Sequence, residues 1–184
     1  MSEAIVIRSV HAAEARQRSD ELVAIIRDAV EGGSSVNFLA DVTDEVLGSF
    51  WAGVADGQEA GRTELFVAED VATGRLVATA LIMFSQKQNS PHRADVGKML
   101  VHSDYRRRGL ARRLLDAVED TARRHDRTLL MLDTETGSAG EALYRAQGWV
   151  PFGVVPGHAY TPDSVPKPTT FFYKVIDSSP GSQT

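Results

Sequence analysis

The segment from Arg93 to His125 constrains the fold more than any other part of the chain. Arg93 to about His102 reads as a strand. Leu110, Leu114, Val118 and Ala122 then recur at helical spacing, so a helix runs from Leu110 to about His125. Between them lies Val101-His102-Ser103-Asp104-Tyr105-Arg106-Arg107-Arg108-Gly109-Leu110-Ala111-Arg112, and five of the eight residues from Arg106 to Arg113 are arginine. A strand that turns directly into a helix leaves the first helical N–H groups unpaired and partly positive. Cations oppose the helix dipole there, so a merely solvated basic turn is unfavourable. Gly109 and Ala111 are small enough to let a phosphate reach the backbone, and guanidinium groups add charge-assisted hydrogen bonds. The turn suits a pyrophosphate.

The remaining pattern alternates between the two kinds of element. Ala4 to Arg8 opens a sheet. Leu22, Ile25, Ile26, Ala29 and Val30 mark an amphipathic helix that Gly32-Gly33 stops. Thr43 caps a second helix with the apolar face Val46, Leu47, Phe50, Trp51 and Val54. Glu64 to Ala68 and Leu76 to Phe84 are strands around a turn at Ala72-Thr73-Gly74. Leu129 to Leu132 is a short buried strand, and Ser138 to Gln147 a helix ended by Gly148. Val150 to Val155 and Thr169 to Ile176 are the last strands. Five of the seven prolines lie between Pro151 and Pro168, which predicts a stiffened loop there. The 184 residues suffice for one mixed α/β domain, residues 1–177, with a polar tail over 178–184. Ligands of such sheets bind where neighbouring strands diverge, beside a helix N-terminus.

Charge and composition remove several functions. The net charge of −5 disfavours nucleic acid as a partner. The longest apolar stretches are strand-sized, so no membrane span is expected, and the N-terminus lacks the pattern of a signal peptide. The chain has no cysteine, which excludes disulfides, Cys-ligated zinc and a cysteine nucleophile, and fits a reducing cytoplasm. The five histidines have no metal-binding spacing, so no metal is expected. His11 is expected on a helix surface and His125 near a helix end, His92 and His102 flank the strand before the arginines, and His158 lies in the proline-rich segment. No HExxH, Walker A or G-x-S-x-G element is present.

Arg106-Arg107-Arg108-Gly109-Leu110-Ala111 resembles the Q/R-x-x-G-x-G/A signature of the GCN5-related N-acetyltransferase (GNAT) superfamily, and Glu141-Ala142-Leu143-Tyr144-Arg145-Ala146-Gln147-Gly148-Trp149 resembles its second signature. The resemblance spans nearly the whole chain. It implies one mixed, mostly antiparallel sheet of about seven strands flanked by about four helices. It further implies that a splayed pair of central strands holds the pantetheine arm of acetyl-CoA, with Met99, Leu100 and Val101 along the arm and Arg106, Arg107, Arg108, Gly109, Leu110, Ala111 and Arg112 around the pyrophosphate. Gly32-Gly33-Ser34-Ser35-Val36-Asn37-Phe38-Leu39-Ala40-Asp41, Gln86-Lys87, Leu132-Asp133-Thr134-Glu135-Thr136-Gly137-Ser138 and Pro156-Gly157…Thr161-Pro162-Asp163 resemble the tabtoxin resistance acetyltransferases, which inactivate a β-lactam amino-acid toxin.

Acetyl transfer from a thioester requires a deprotonated acceptor, a stabilised oxyanion and a protonated leaving thiolate. A free alkyl amine has a pKa of about 10.4, so a carboxylate that removes its proton accelerates the reaction. Asp95, inside the strand that flanks the coenzyme, and Asp133, at the end of a buried strand, are the candidates, and Glu135 faces the same side as Asp133 two residues on. Each also reads as a structural carboxylate or strand-end cap. Tyr144 is a buried aromatic on an amphipathic helix by its spacing alone, and the general acid by the family signature. Asn37, Phe38, Asp133 and Glu135 are the expected acceptor-binding residues. With no cysteine, acetyl passes directly to the acceptor in a ternary complex. The expected acceptor is a small polar molecule with an amine or hydroxyl, a toxin or antibiotic such as a tabtoxinine-like β-lactam. A protein or peptide acceptor and an acyl-CoA-binding sensor without catalysis are the alternatives. A homodimer is compatible with the chain.

Overall fold

In a computed structural model, which describes residues 5–177, the chain folds as one seven-stranded sheet with helices on both faces. In chain order the elements are β1 (Ile5–Val10), α1 (Ala12–Gln17), α2 (Ser19–Glu31), α3 (Asp44–Glu59), β2 (Thr63–Asp70), β3 (Arg75–Phe84), β4 (Arg93–Val101), a 3-10 turn (Ser103–Tyr105), α4 (Leu110–Arg124), β5 (Leu129–Glu135), α5 (Ala139–Ala146), β6 (Val150–Tyr160) and β7 (Pro166–Val175). The strands lie in the order β1-β2-β3-β4-β5-β7-β6. Every neighbouring pair is antiparallel except β4 and β5. The mixed, mostly antiparallel α/β sheet agrees with expectation. The polar tail over 178–184 and the start of the first strand at Ala4 lie outside the described residues.

Period-two alternation assigns each sheet face its cover. Ala78, Ala80, Ile82 and Phe84 of β3, with Ala94 and Val96 of β4 and Leu130 and Leu132 of β5, pack against Leu110, Leu114, Leu115, Val118 and Ala122 of α4. Leu65 and Val67 of β2 and Leu81 of β3 pack on the other face against Leu22, Ile25 and Ile26 of α2 and Leu47, Trp51 and Val54 of α3. Thr43 caps α3 as expected, its hydroxyl accepting from the Val46 N–H at 3.3 Å, but the Val46 side chain is exposed.

Two regions differ from expectation. About four helices are expected and five α-helices form among the described residues, the additional one being Ala12–Gln17, capped by His11, whose Nδ1 accepts from the Glu14 N–H. Six residues are too few to show a helical period, and His11 sits at the cap rather than on a helix surface. The proline-rich segment is two paired strands rather than a loop. Pro151 and Pro156 lie in β6, and β6 is the edge of the sheet, where a residue without an N–H can leave its outward side unpaired at no cost. The pairing of β6 with β7 shifts register twice, between Pro151 and Gly153 and between Val155 and Ala159, which absorbs these prolines.

One irregularity in the interior shapes the rest. β3 pairs Leu81 with Gly97 but Thr79 with Leu100, so β4 carries one extra residue. Lys98 sits there with φ of 46°. An extra residue reverses the alternation that follows it. Ala94 and Val96 face α4, whereas Leu100 packs in the α1–α3 layer and Met99 and Val101 turn toward α4. The bulge frees a backbone carbonyl, and the fully buried Thr79 hydroxyl donates to that Lys98 carbonyl at 2.8 Å. Thr79→Val keeps the side-chain shape and removes the donor. Its expected cost is about 1–3 kcal/mol, the penalty for an unpaired buried acceptor. Urea unfolding measures it, and an unchanged midpoint contradicts the assigned role of the hydroxyl.

Candidate active site

The parallel pairing of β4 with β5 is brief. It covers Arg93 with Leu129, Ala94 with Leu130 and Asp95 with Met131, and then ends. Beyond that point β4 stays on β3 and β5 stays on β7, so the two strands part. The bulge at Lys98 lies just past the last pair, where added twist turns β4 away. Two cavities open along the parting. The larger, about 750 Å³, lies under Phe50 and Gly53 of α3 and is lined by Asp95 and Met131. The smaller, about 300 Å³, runs between Met99 and Leu100 on one side and Thr134, Glu135 and Tyr144 on the other. They share Asn37, Val96, Gly97, Lys98 and Asp133. Gly97 suits this junction, since a Cβ there would lie 3.2 Å from Met83 Cε.

The chain between α2 and α3 roofs the junction. Ser35 Oγ donates to the Tyr160 carbonyl at 2.9 Å, and the Ala40 N–H donates to the Pro162 carbonyl at 2.9 Å. Asn37, between these ties, has φ of 73°, a left-handed conformation that asparagine tolerates better than most residues. Asn37 lines both cavities, while Phe38 lies beside Lys98 with its ring centroid 5.7 Å from Nζ. His158 of β6 lines the smaller cavity, and its ring packs edge-on against Phe171, which lines the larger.

The candidate acid and base side chains are distributed unequally. Asp133 lines both cavities and is exposed to them. Asp95 lines only the larger and Glu135 only the smaller. Tyr144 is 6% exposed, with ring centroids 6.0 Å from both Trp149 and Phe172. Burial drives the Tyr144 phenol well above its ordinary pKa, and the negative charge of Asp133 adds to that, so the proton stays on the oxygen. Short-range signals hold it in place. Ser138 caps α5 by accepting from the Glu141 N–H, and the Glu141 carboxylate reaches back to the Gly137 N–H. Gly148, with φ of 77°, ends the helix directly after it.

At the far end of β4 the chain enters the arginine-rich turn. Gly109 is the N-cap of α4 with φ of 76°, no side chain caps the helix, and no acidic residue occupies its first turn. The leading N–H groups of α4 are therefore open to an anion. The arginines are not equivalent. Arg106 donates to the Val101 carbonyl at 3.1 Å and Arg108 to the Asp104 carbonyl at 3.0 Å, with its guanidinium over the Tyr105 ring. Arg107 and Arg112 are exposed. Leu110 is buried in the core, and Ala111 is half-buried. Asp28 of α2 anchors the turn by accepting from the Ser103 N–H and hydroxyl, with an Arg106 nitrogen 3.5 Å away. Among the described residues no three His, Asp or Glu side chains come together to hold a metal, and no helix is long and apolar enough to cross a membrane.

Two residues of this region escaped the sequence reading. Asp28 reaches the turn from 75 residues away, and no local signal marks it. Lys98 had one, the Gly97-Lys98 pair interrupting an apolar strand, since glycine inside a strand often marks a bulge.

The profile of the acetyltransferase (GNAT) family matches residues 13–149. The chain belongs to that family. This GNAT chain also resembles solved structures over nearly its full length. Ribosomal-protein-alanine N-acetyltransferase from Brucella melitensis is 24% identical with a TM-score of 0.73, covering 93% of this chain and 99% of its own. The Salmonella typhimurium protein yncA, solved with its cofactor acetyl-CoA, is 16% identical with a TM-score of 0.76, covering 98% and 99%. A protein assigned as a phosphinothricin N-acetyltransferase is 19% identical with a TM-score of 0.77, covering 95% and 100%. At these identities the likeness establishes the fold that this GNAT domain shares with them.

The left-handed φ of Gly109 sets a further expectation. Gly109→Val introduces a β-branched side chain where only glycine is unstrained, although no neighbour lies within 4 Å of its Cβ. Stability should fall by about 1–2 kcal/mol from backbone strain alone. Thermal unfolding measures it, and an unchanged Tm contradicts the assigned conformation.

Proposed function

We propose that this GNAT protein moves an acetyl group from acetyl-CoA directly to an amine or hydroxyl of a small polar molecule. One observation carries the reading: Asp133 and the buried Tyr144 line the same narrow gap between the parted strands, and that gap lies alongside the β4 segment that leads into the open N-terminus of α4. The residues fit the coenzyme. Met99 to Val101 present an unpaired strand edge toward β5 for the pantetheine arm, and the N–H groups from Gly109 to Arg112, with the exposed Arg107 and Arg112, suit its pyrophosphate. Bound there, acetyl-CoA supplies a thioester whose carbonyl carbon accepts a nucleophile.

The chain's own groups divide the remaining work. Asp133, at the junction of both cavities, takes the proton of the acceptor amine, so the nitrogen lone pair is free to bond to the acetyl carbon. A backbone N–H of the strand around Met99 to Val101 stabilises the charge that develops on the carbonyl oxygen. Tyr144 gives its proton to sulfur as the carbon–sulfur bond breaks, and burial keeps that proton available. Asp95, farther along the larger cavity, and Glu135, with Asn37, orient the acceptor, whereas Phe38 lines neither cavity. Within GNAT enzymes the acceptor class is drawn from the tied roof over the junction, which favours a small molecule over an extended peptide. The loop and strand-end segments that resemble the tabtoxin resistance enzymes, and the fold shared with a protein assigned as a phosphinothricin N-acetyltransferase, support an amino-acid-like toxin or antibiotic. The ribosomal-protein-alanine N-acetyltransferase neighbour keeps a peptide acceptor as the second reading.

Thiol release from acetyl-CoA, followed over a panel of small amines, β-lactam amino acids and N-terminal and lysine peptides, tests the reading. Turnover of peptides without any small molecule overturns it. Tyr144→Phe should lower kcat by about 10²- to 10⁴-fold, with little change in acetyl-CoA affinity. The upward shift of the phenol sets the pH behaviour. The acid is competent below its pKa and lost above it, so kcat should show no fall up to about pH 10, where an ordinary tyrosine titrates. A fall centred at or below that pH contradicts the role.

A further inference from the structure

The acceptor cavity contains a cation to which the mechanism above gives no task. Lys98 sits on the bulge of β4 and lines both cavities at their junction. Its Nζ lies 5.0 Å from the Phe50 ring centroid and 5.7 Å from that of Phe38, so two aromatic faces flank the ammonium. Aromatic faces favour the charged form of the amine. Burial works against it and lowers the Lys98 pKa, while the negative charge of Asp133 pulls the other way. Among the described residues Lys98 Nζ has no hydrogen-bonding partner, and no carboxylate stands within ion-pair distance. Its three donors therefore meet only rings and the cavity. A partly buried ammonium in that state is costly unless an anion completes it.

The same wall carries the opposite charge. Asp133 lines both cavities beside Lys98, and Asp95 lines the larger one. A cavity with a cation and a carboxylate near one another, not paired to each other, is complementary to a molecule carrying both charges. Resting on the reading of this site as an acetyltransferase centre for small polar acceptors, we infer that Lys98 selects acceptors bearing a carboxylate. The acceptor is then a zwitterionic amino acid or close analogue whose carboxylate is held by the Lys98 ammonium while its amine meets Asp133. Phe38 and Phe50 keep the lysine side chain in position, which makes them part of the specificity. The strand before the bulge matters too. Without the extra residue in β4, position 98 would fall in the alternation of Ala94 and Val96, toward α4.

Matched pairs of acceptors test this. The panel holds glycine, β-alanine, L-lysine and L-glutamate, each against the compound in which the carboxylate is a carboxamide, γ-position included for glutamate, with acetyl-CoA and thiol release as the readout. The amines of the amides are less basic, so chemistry alone favours the amides. The wild-type enzyme should prefer the carboxylate of at least one pair by about 10- to 100-fold in kcat/KM, the scale of a hydrogen bond to a charged group. Lys98→Met keeps most of the apolar stem and removes the charge. It should bring that preference to near unity, and Lys98→Arg should retain part of it. A lysine that merely supports the bulge would lower both members of a pair alike and leave their ratio unchanged. A wild-type enzyme that uses acid and amide equally, or a Met variant that keeps the preference, overturns the role of Lys98 while leaving the small-acceptor reading intact. Peptide turnover without turnover of any pair overturns the small-acceptor reading itself, and the role of Lys98 with it. If no compound of any class is turned over although acetyl-CoA binds, both are wrong.

Discussion

The parting of β4 from β5 depends on one extra residue and the hydrogen bond that secures it. A strand interior can hold a left-handed, non-glycine residue only if the surrounding groups compensate. Here the Thr79 hydroxyl takes up the carbonyl that Lys98 would otherwise leave without a ladder partner. The ladder to β5 stops after three pairs, and the edge of β4 at Met99 and Leu100 lines the gap that opens. The bulge also places a lysine at the junction of both cavities, where regular alternation would turn it toward α4.

The walls of the gap come from elements far apart in the chain. Asp133 lies near the C-terminal end of β5, and Tyr144 is set by the caps of α5. The roof arrives from the segment after α2 and is tied to the end of β6 and to the turn that follows it. Asp28, on α2, fixes the start of the turn that leads into α4. The helical layer of α1 to α3 therefore serves both ends of the site, the acceptor side through Phe50 and the arginine turn through Asp28. This coupling is why a single sheet irregularity can organise a site of such length.

Much of this was legible in the sequence where the signal was local. The arginine-rich turn, Gly109 and the stripe Leu110, Leu114, Val118 and Ala122 predicted α4 and its open N-terminus, and Thr43 and Ser138 marked helix starts correctly. The seven strands were found, with ends displaced by a few residues. Pro151 and Pro156 read as loop residues because their meaning depends on position in the sheet. In an interior strand Pro151 and Pro156 would break the ladder, but β6 is an edge, which no local pattern reveals. Asp28 was hidden because its partner Ser103 is distant in sequence, and Lys98 because its importance comes from the bulge and from two phenylalanines on other elements. Among the four substrate-side residues expected, Asn37, Asp133 and Glu135 line the cavities, whereas Phe38 stands behind Lys98.

The central claim is that the gap created by the bulge receives the coenzyme. Titration of ¹⁵N-labelled protein with acetyl-CoA, read by amide chemical shifts, addresses it most directly. The expected result is a set of saturable shifts on both walls and at the turn: Lys98 to Val101 on β4, Leu132 to Glu135 on β5, and Arg107 to Arg112 entering α4. Shifts confined to another surface, such as the cavity lined by Ser9, His11 and Gln58, with the amides of β4 and β5 unmoved, would contradict the account.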